Sequence, residues 1–124
     1  MLERDFKISK LIRNPYITWS VQDHSGKDIA SAYYWRDPMT QGEIARSRLQ
    51  FPYVIRARVD VYSDKNRGQG LSSSLLRYCD QRLGNLDDPR IFLNTTGREN
   101  KFETYLAQAS HLLYYDGKLA LFYP

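Results

Sequence analysis

A chain of 124 residues with 42% hydrophobic and 26% charged side chains has the make-up of one folded domain spanning residues 1–124; the composition argues against disorder and the length against two independent cores. A net charge of +4 and a pI near 9.2 suit a polyanionic partner, yet the cations are scattered along the chain and form no basic block. A single cysteine, Cys79, excludes an intramolecular disulfide and a clustered thiolate metal site and fits a reducing cytoplasm.

The opening MLERDFKISK places Glu3 and Asp5 where a signal peptide needs a basic and then an apolar stretch, and no later apolar run approaches membrane-spanning length. The expectation is a protein neither secreted nor embedded in a membrane. Tyr16 to Gln22 and Asp28 to Arg36 are rich in aromatic and β-branched residues and flank the turn-prone DHSGK around Gly26, which reads as a β-hairpin. Pro38 ends the second strand, and QGEIARSRLQ reads as a short helix before Pro52.

Tyr53 to Ser63 gives the clearest strand, with Ile55, Ala57, Val59 and Val61 on one face and Arg56, Arg58 and Asp60 on the other. After a glycine turn, Leu71, Leu75, Leu76, Cys79 and Leu83 recur at helical spacing, and Gly84 is a natural stop. RIFLN reads as a short buried strand. ENKFETYLAQAS reads as a second amphipathic helix with Phe102, Leu106 and Ala109 along one side. Two last strands, near Leu112 to Tyr115 and Leu119 to Tyr123, pair around Asp116-Gly117. Strands, helix, strand, helix, strands is the order of a mixed α/β (α+β) sheet protein.

The turn DKNRGQGLSSSLL carries the chemistry. A strand that runs through Arg67-Gly68-Gln69-Gly70 into a helix aims backbone N–H groups and the positive end of the helix dipole at one point, which attracts anions. Arg67 adds a charge-assisted donor, and Ser72 to Ser74 add hydroxyls. A P-loop needs a lysine and a wider glycine spacing, and a dinucleotide fingerprint needs a third glycine where Ser73 stands.

The six residues Arg67, Gly68, Gln69, Gly70, Leu71 and Ser72 resemble motif A of the Gcn5-related N-acetyltransferase family, Q/R-x-x-G-x-G/A, with Ser72 in place of the final glycine or alanine. The resemblance runs from Tyr53 to the C-terminus. Before Tyr16 the chain is too short for the first strand and two helices that family members carry, which makes this a trimmed member with a more open acceptor side. The resemblance implies an acyl-CoA N-acyltransferase-like fold, with a mostly antiparallel, twisted central sheet flanked by helices. It also implies transfer of an acetyl group from acetyl-CoA to a primary amine of a protein or small molecule, by direct attack and without a metal. The pyrophosphate would lie on the amides of Arg67 to Ser72, the pantetheine arm would pair with the strand near Val59 to Tyr62, and an N–H near Val61 or Tyr62 would hold the oxyanion.

Asn100 matches the asparagine of the family's motif B, and Tyr105 is the nearest match to its thiolate-protonating tyrosine, although it arrives early and Ala109-Ser110 replaces a closing Gly-Phe. Against that role stands a core-facing aromatic. Asp60 is the one carboxylate inside the clear strand and the candidate base; against it stands an ion pair with Arg58 or Arg56. Glu43, His24 and His111 are reserves. Cys79, on the apolar stripe of its helix, reads as packing and not as a nucleophile. The alternative reading is a binding module: a CoA-binding fold without catalysis, or a basic tyrosine- and arginine-rich domain that contacts nucleic acid. Either a monomer or a homodimer fits the sequence.

Overall fold

The computed structural model describes residues 2–66, 70–83, 87–93, 105–107 and 111–124. In chain order these form α1 (Leu2–Asp5), β1 (Lys7–Arg13), β2 (Tyr16–Gln22), β3 (Asp28–Asp37), α2 (Gln41–Ser47), β4 (Val54–Val61), a 3-10 turn (Asp64–Asn66), α3 (Leu71–Arg82), β5 (Arg90–Leu93), β6 (His111–Tyr115) and β7 (Leu119–Tyr123). Residues 105–107 are also helical. The strands make one seven-stranded sheet in the order β1-β2-β3-β4-β5-β7-β6. It is mostly antiparallel, with β4 and β5 parallel. The mixed fold read from the element order is the fold observed.

The chain divides into two compact units, Met1–Tyr34 with Arg58–Gly84 and Trp35–Ala57 with Asn85–Pro124. In the first, the β2–β3 hairpin turns on Asp23, whose carboxylate accepts from the Ser25 and Lys27 amides at 2.9 and 3.0 Å. Gly26 completes the turn at φ +86°, a left-handed geometry that suits glycine. Trp19 meets Tyr34 edge to face at 5.7 Å, and both are buried. Leu71, Leu75, Leu76 and Cys79 are the buried stripe of α3, as their spacing foretold.

The residues before Tyr16, too short for a first strand and two helices together, hold α1 and a first strand: β1 pairs with β2 from Lys7↔Gln22 to Arg13↔Tyr16. What separates the two strands is a turn at Asn14-Pro15, with no helix between them.

In the second unit, Met39, Val54, Ile91, Leu119 and Leu121 form a core beside Ile44 of α2. Phe92, Phe122 and Tyr105 form an aromatic cluster with ring centroids 5.3 to 5.8 Å apart. Sheet alternation puts Arg90, Phe92 and Phe122 on one face and Ile91 and Leu121 on the other. Both faces of this sheet are thus covered, which explains why adjacent residues Val54 and Ile55 are both buried where simple alternation predicts one.

Candidate functional site

The two sides of β5 differ in pairing. Toward β7 all four residues are in register, Arg90↔Phe122 to Leu93↔Leu119. Toward β4, among the described residues, the register consists of Ile55↔Arg90 and Arg56↔Ile91. β4 itself continues to Val61 and then leads through the 3-10 turn into the glycine turn. Ligands in open α/β sheets favour the carboxyl ends of parallel strands, and the glycine turn follows the carboxyl end of β4.

Arg67, Gly68 and Gln69 of the anion motif lie outside the described residues, as do Asn100 and Gly84; Gly70, Leu71 and Ser72 lie within them. Gly70 is the N-cap of α3 at φ 78°, ψ 12°, and as a glycine it makes no side-chain cap hydrogen bond. A β-carbon at Gly70 would meet nothing within 4 Å. Glycine is therefore demanded there by the backbone angle and leaves open space in front of it. The first helical hydrogen bond is Ser74 N–H to Gly70 O at 3.0 Å, so the amides of residues 71–73 precede the helical ladder. Leu71 is buried and Ser72 exposed. Leu71 thus anchors the turn and can offer a ligand its backbone only, whereas Ser72 can also offer its hydroxyl.

The Tyr62 amide needs correction as an oxyanion donor. It donates to Ile29 O at 2.8 Å and belongs to the sheet ladder; strand alternation directs the Val61 amide to the opposite edge. The Tyr62 phenol lies 3.1 Å from that of Tyr33. A hydrogen bond with Ser31 lowers its pKa, but the bond to Tyr33, partial burial and nearby Asp60 outweigh this and hold it above the ordinary range.

Asp60 accepts from Arg58 Nε at 3.2 Å, the ion pair that opposed its reading as a base. Tyr105 is 4% exposed and its ring packs on Phe92 and Phe122, so the geometry gives it a core role. Burial pushes the Cys79 thiol well above its usual pKa, with Asp80 adding to the shift; this side chain packs and is no nucleophile.

Sequence periodicity missed a charged node. Arg56 donates to Glu43 through Nη1 at 2.7 Å and Nη2 at 2.5 Å, to Asp37 through Nε at 2.9 Å, and to the Pro38 carbonyl at 3.0 Å. Glu43 also closes a capping box, accepting from Thr40 N–H at 2.9 Å while Thr40 Oγ1 accepts from Glu43 N–H at 3.1 Å. The Arg56 hydrogen bonds, with Thr40, outweigh burial and depress the Glu43 pKa. Glu43 is thereby a structural anion and not a reserve base. The Thr40-x-x-Glu43 spacing was the available signal.

His24 and His111 are exposed and sit in a turn and at the start of β6. Among the described residues no cluster of His, Cys, Asp or Glu could hold a metal ion, and no helix is long and apolar enough to cross a membrane.

No family model and no curated protein matches the sequence. Among solved structures, the chain is similar to an uncharacterized protein (bh2621) from Bacillus halodurans, with a TM-score of 0.51 and 14% identity over 88% of this chain. The chain spans 57% of that protein's length. A likeness at this identity bears on the fold alone.

Proposed function

We propose that this chain is an N-acetyltransferase that moves the acetyl group of acetyl-CoA to a primary amine. The observation that carries this reading is the start of α3, where Gly70 stands in the left-handed region and the amides of residues 71–73 precede the helical ladder. Glycine in the left-handed region, amides ahead of the helical ladder and an exposed Ser72 are what a pyrophosphate requires. The RGQG sequence adds a guanidinium and a further glycine to the same turn.

In the transfer, the amine nitrogen bonds to the acetyl carbon as the carbon–sulfur bond breaks. The nitrogen gives up a proton and the departing thiolate takes one up. Holding amine and thioester together supplies the larger share of the acceleration, through lost translational freedom. Asp60, held by Arg58, and Tyr105, held in the core, serve structure in this reading. The acceptor amine then deprotonates to solvent, and turnover climbs with pH toward the ordinary amine range of about 10.

The test is an acetylation assay over a panel of amines with the wild-type protein, Gly68→Glu and Gly70→Glu. Wild-type turnover that disappears in both variants, with circular dichroism unchanged, supports the reading. Turnover that survives in both refutes the role of the turn.

A further inference from the structure

The two ends of the sheet have opposite characters. β6 is five residues long, and its register with β7 shifts between Leu112 and Tyr114, an irregularity of the kind that blunts an edge. β1, at the other end of the order, keeps register with β2 through seven residues. Its outer edge is a regular row of backbone donors and acceptors, and every residue of the strand except Ile8 is exposed. Leu11 is 50% and Ile12 67% exposed, and strand alternation places them on opposite faces. A strand added beside β1 would find an apolar contact on each face.

Charge selects the occupant. β1 carries Lys7, Lys10 and Arg13 and no acidic residue; the Lys10 ammonium lies 5.4 Å over the Trp19 ring. A second copy of the chain is disfavoured, because full antiparallel overlap sets Lys10 against Lys10 and Lys7 against Arg13. Nucleic acid would answer the cations but has no N–H and C=O groups at strand spacing and nothing to cover Leu11 and Ile12. An extended peptide rich in carboxylates satisfies the ladder, the cations and the apolar pair together.

We propose that the outer edge of β1 docks an extended acidic segment of a partner protein as an additional strand. This site is independent of the acetyl-transfer reading.

The test uses a fluorescent peptide as long as β1 in which pairs of glutamates alternate with pairs of valines, so that each face carries both, in anisotropy titrations at low and high salt. Three arms accompany it: the same peptide N-methylated at alternate residues, a random DNA duplex as competitor, and the protein variant Lys7→Glu with Arg13→Glu. The proposal expects binding that weakens with salt, falls about tenfold or more on N-methylation, and falls similarly in the charge-reversed variant. It is overturned if the parent peptide does not bind, if the N-methylated peptide binds as tightly, if charge reversal changes nothing, or if the duplex displaces the peptide at equal concentration. The N-methylated arm uses the wild-type protein, so a folding defect in the variant cannot mask the answer.

Discussion

The helices α2 and α3 begin in contrasting ways. α2 satisfies its own start: Thr40 and Glu43 exchange hydrogen bonds in a capping box, and Glu43 is held in turn by Arg56. α3 starts on a left-handed glycine, which itself makes no side-chain cap bond. A helix start closed by its own side chains has little to offer a ligand, whereas one opened by glycine keeps its amide-rich end accessible to an anion. On the proposed function the first start holds the protein together and the second serves a ligand, and substitutions at the two starts should part accordingly.

Glu43→Ala should have the largest effect on stability. It removes the two Arg56 hydrogen bonds to Glu43 and leaves the 13% exposed guanidinium to Asp37 and the Pro38 carbonyl, at a cost of about 2–3 kcal/mol. Urea denaturation measures the loss, and acetyl-CoA affinity of the folded fraction should not change. Gly70→Ala should cost about 1–2 kcal/mol, because a β-carbon opposes the left-handed backbone even with open space before it. Unlike Glu43→Ala, it should weaken acetyl-CoA binding as well, measured by calorimetry. Thr40→Ala removes one capping partner and should cost about 1 kcal/mol, again without touching the cofactor.

The smallest effect concerns acid. Asp116 accepts from Leu119 and Lys118 amides at 2.9 and 3.0 Å, from Tyr114 at 2.9 Å and from Arg46, and these bonds, led by that from Leu119, depress its pKa strongly. A depressed folded-state pKa gives stability that is complete above the unfolded value of about 4 and is lost as pH falls through the folded value. Glu43 behaves with the same sign. Asp116→Asn should therefore lower stability at neutral pH and flatten its decline in acid, as read from denaturation midpoints between neutral and acidic buffers.

The sequence disclosed most clearly what depends on local periodicity. The hairpin bounded by Tyr16 and Asp37, the leucine stripe of α3 and the Asp116-Gly117 turn all appear where alternation, helical spacing and turn chemistry put them. β1 escaped notice because an exposed edge strand carries lysine at Lys7 and Lys10, on both of its faces, which erases alternation. Alternation put Arg56 on one face with Arg58 and Asp60, but its partners Asp37 and Glu43 lie on other elements, and no strand period encodes them. Tyr105 matched a motif by spacing alone, and spacing does not report whether a ring is enclosed by Phe92 and Phe122.

The most direct test of the open helix start is the thermal shift of the purified protein with excess acetyl-CoA, beside desulfo-CoA and a random DNA duplex at matched salt. At about 100 times its dissociation constant a ligand adds roughly 2.7 kcal/mol, a rise of several degrees for a domain of this size. A rise with both CoA compounds, absent with DNA and lost in Gly70→Glu, is the predicted result. A rise with DNA alone would contradict the account and make the glycine turn a contact for nucleic-acid phosphates.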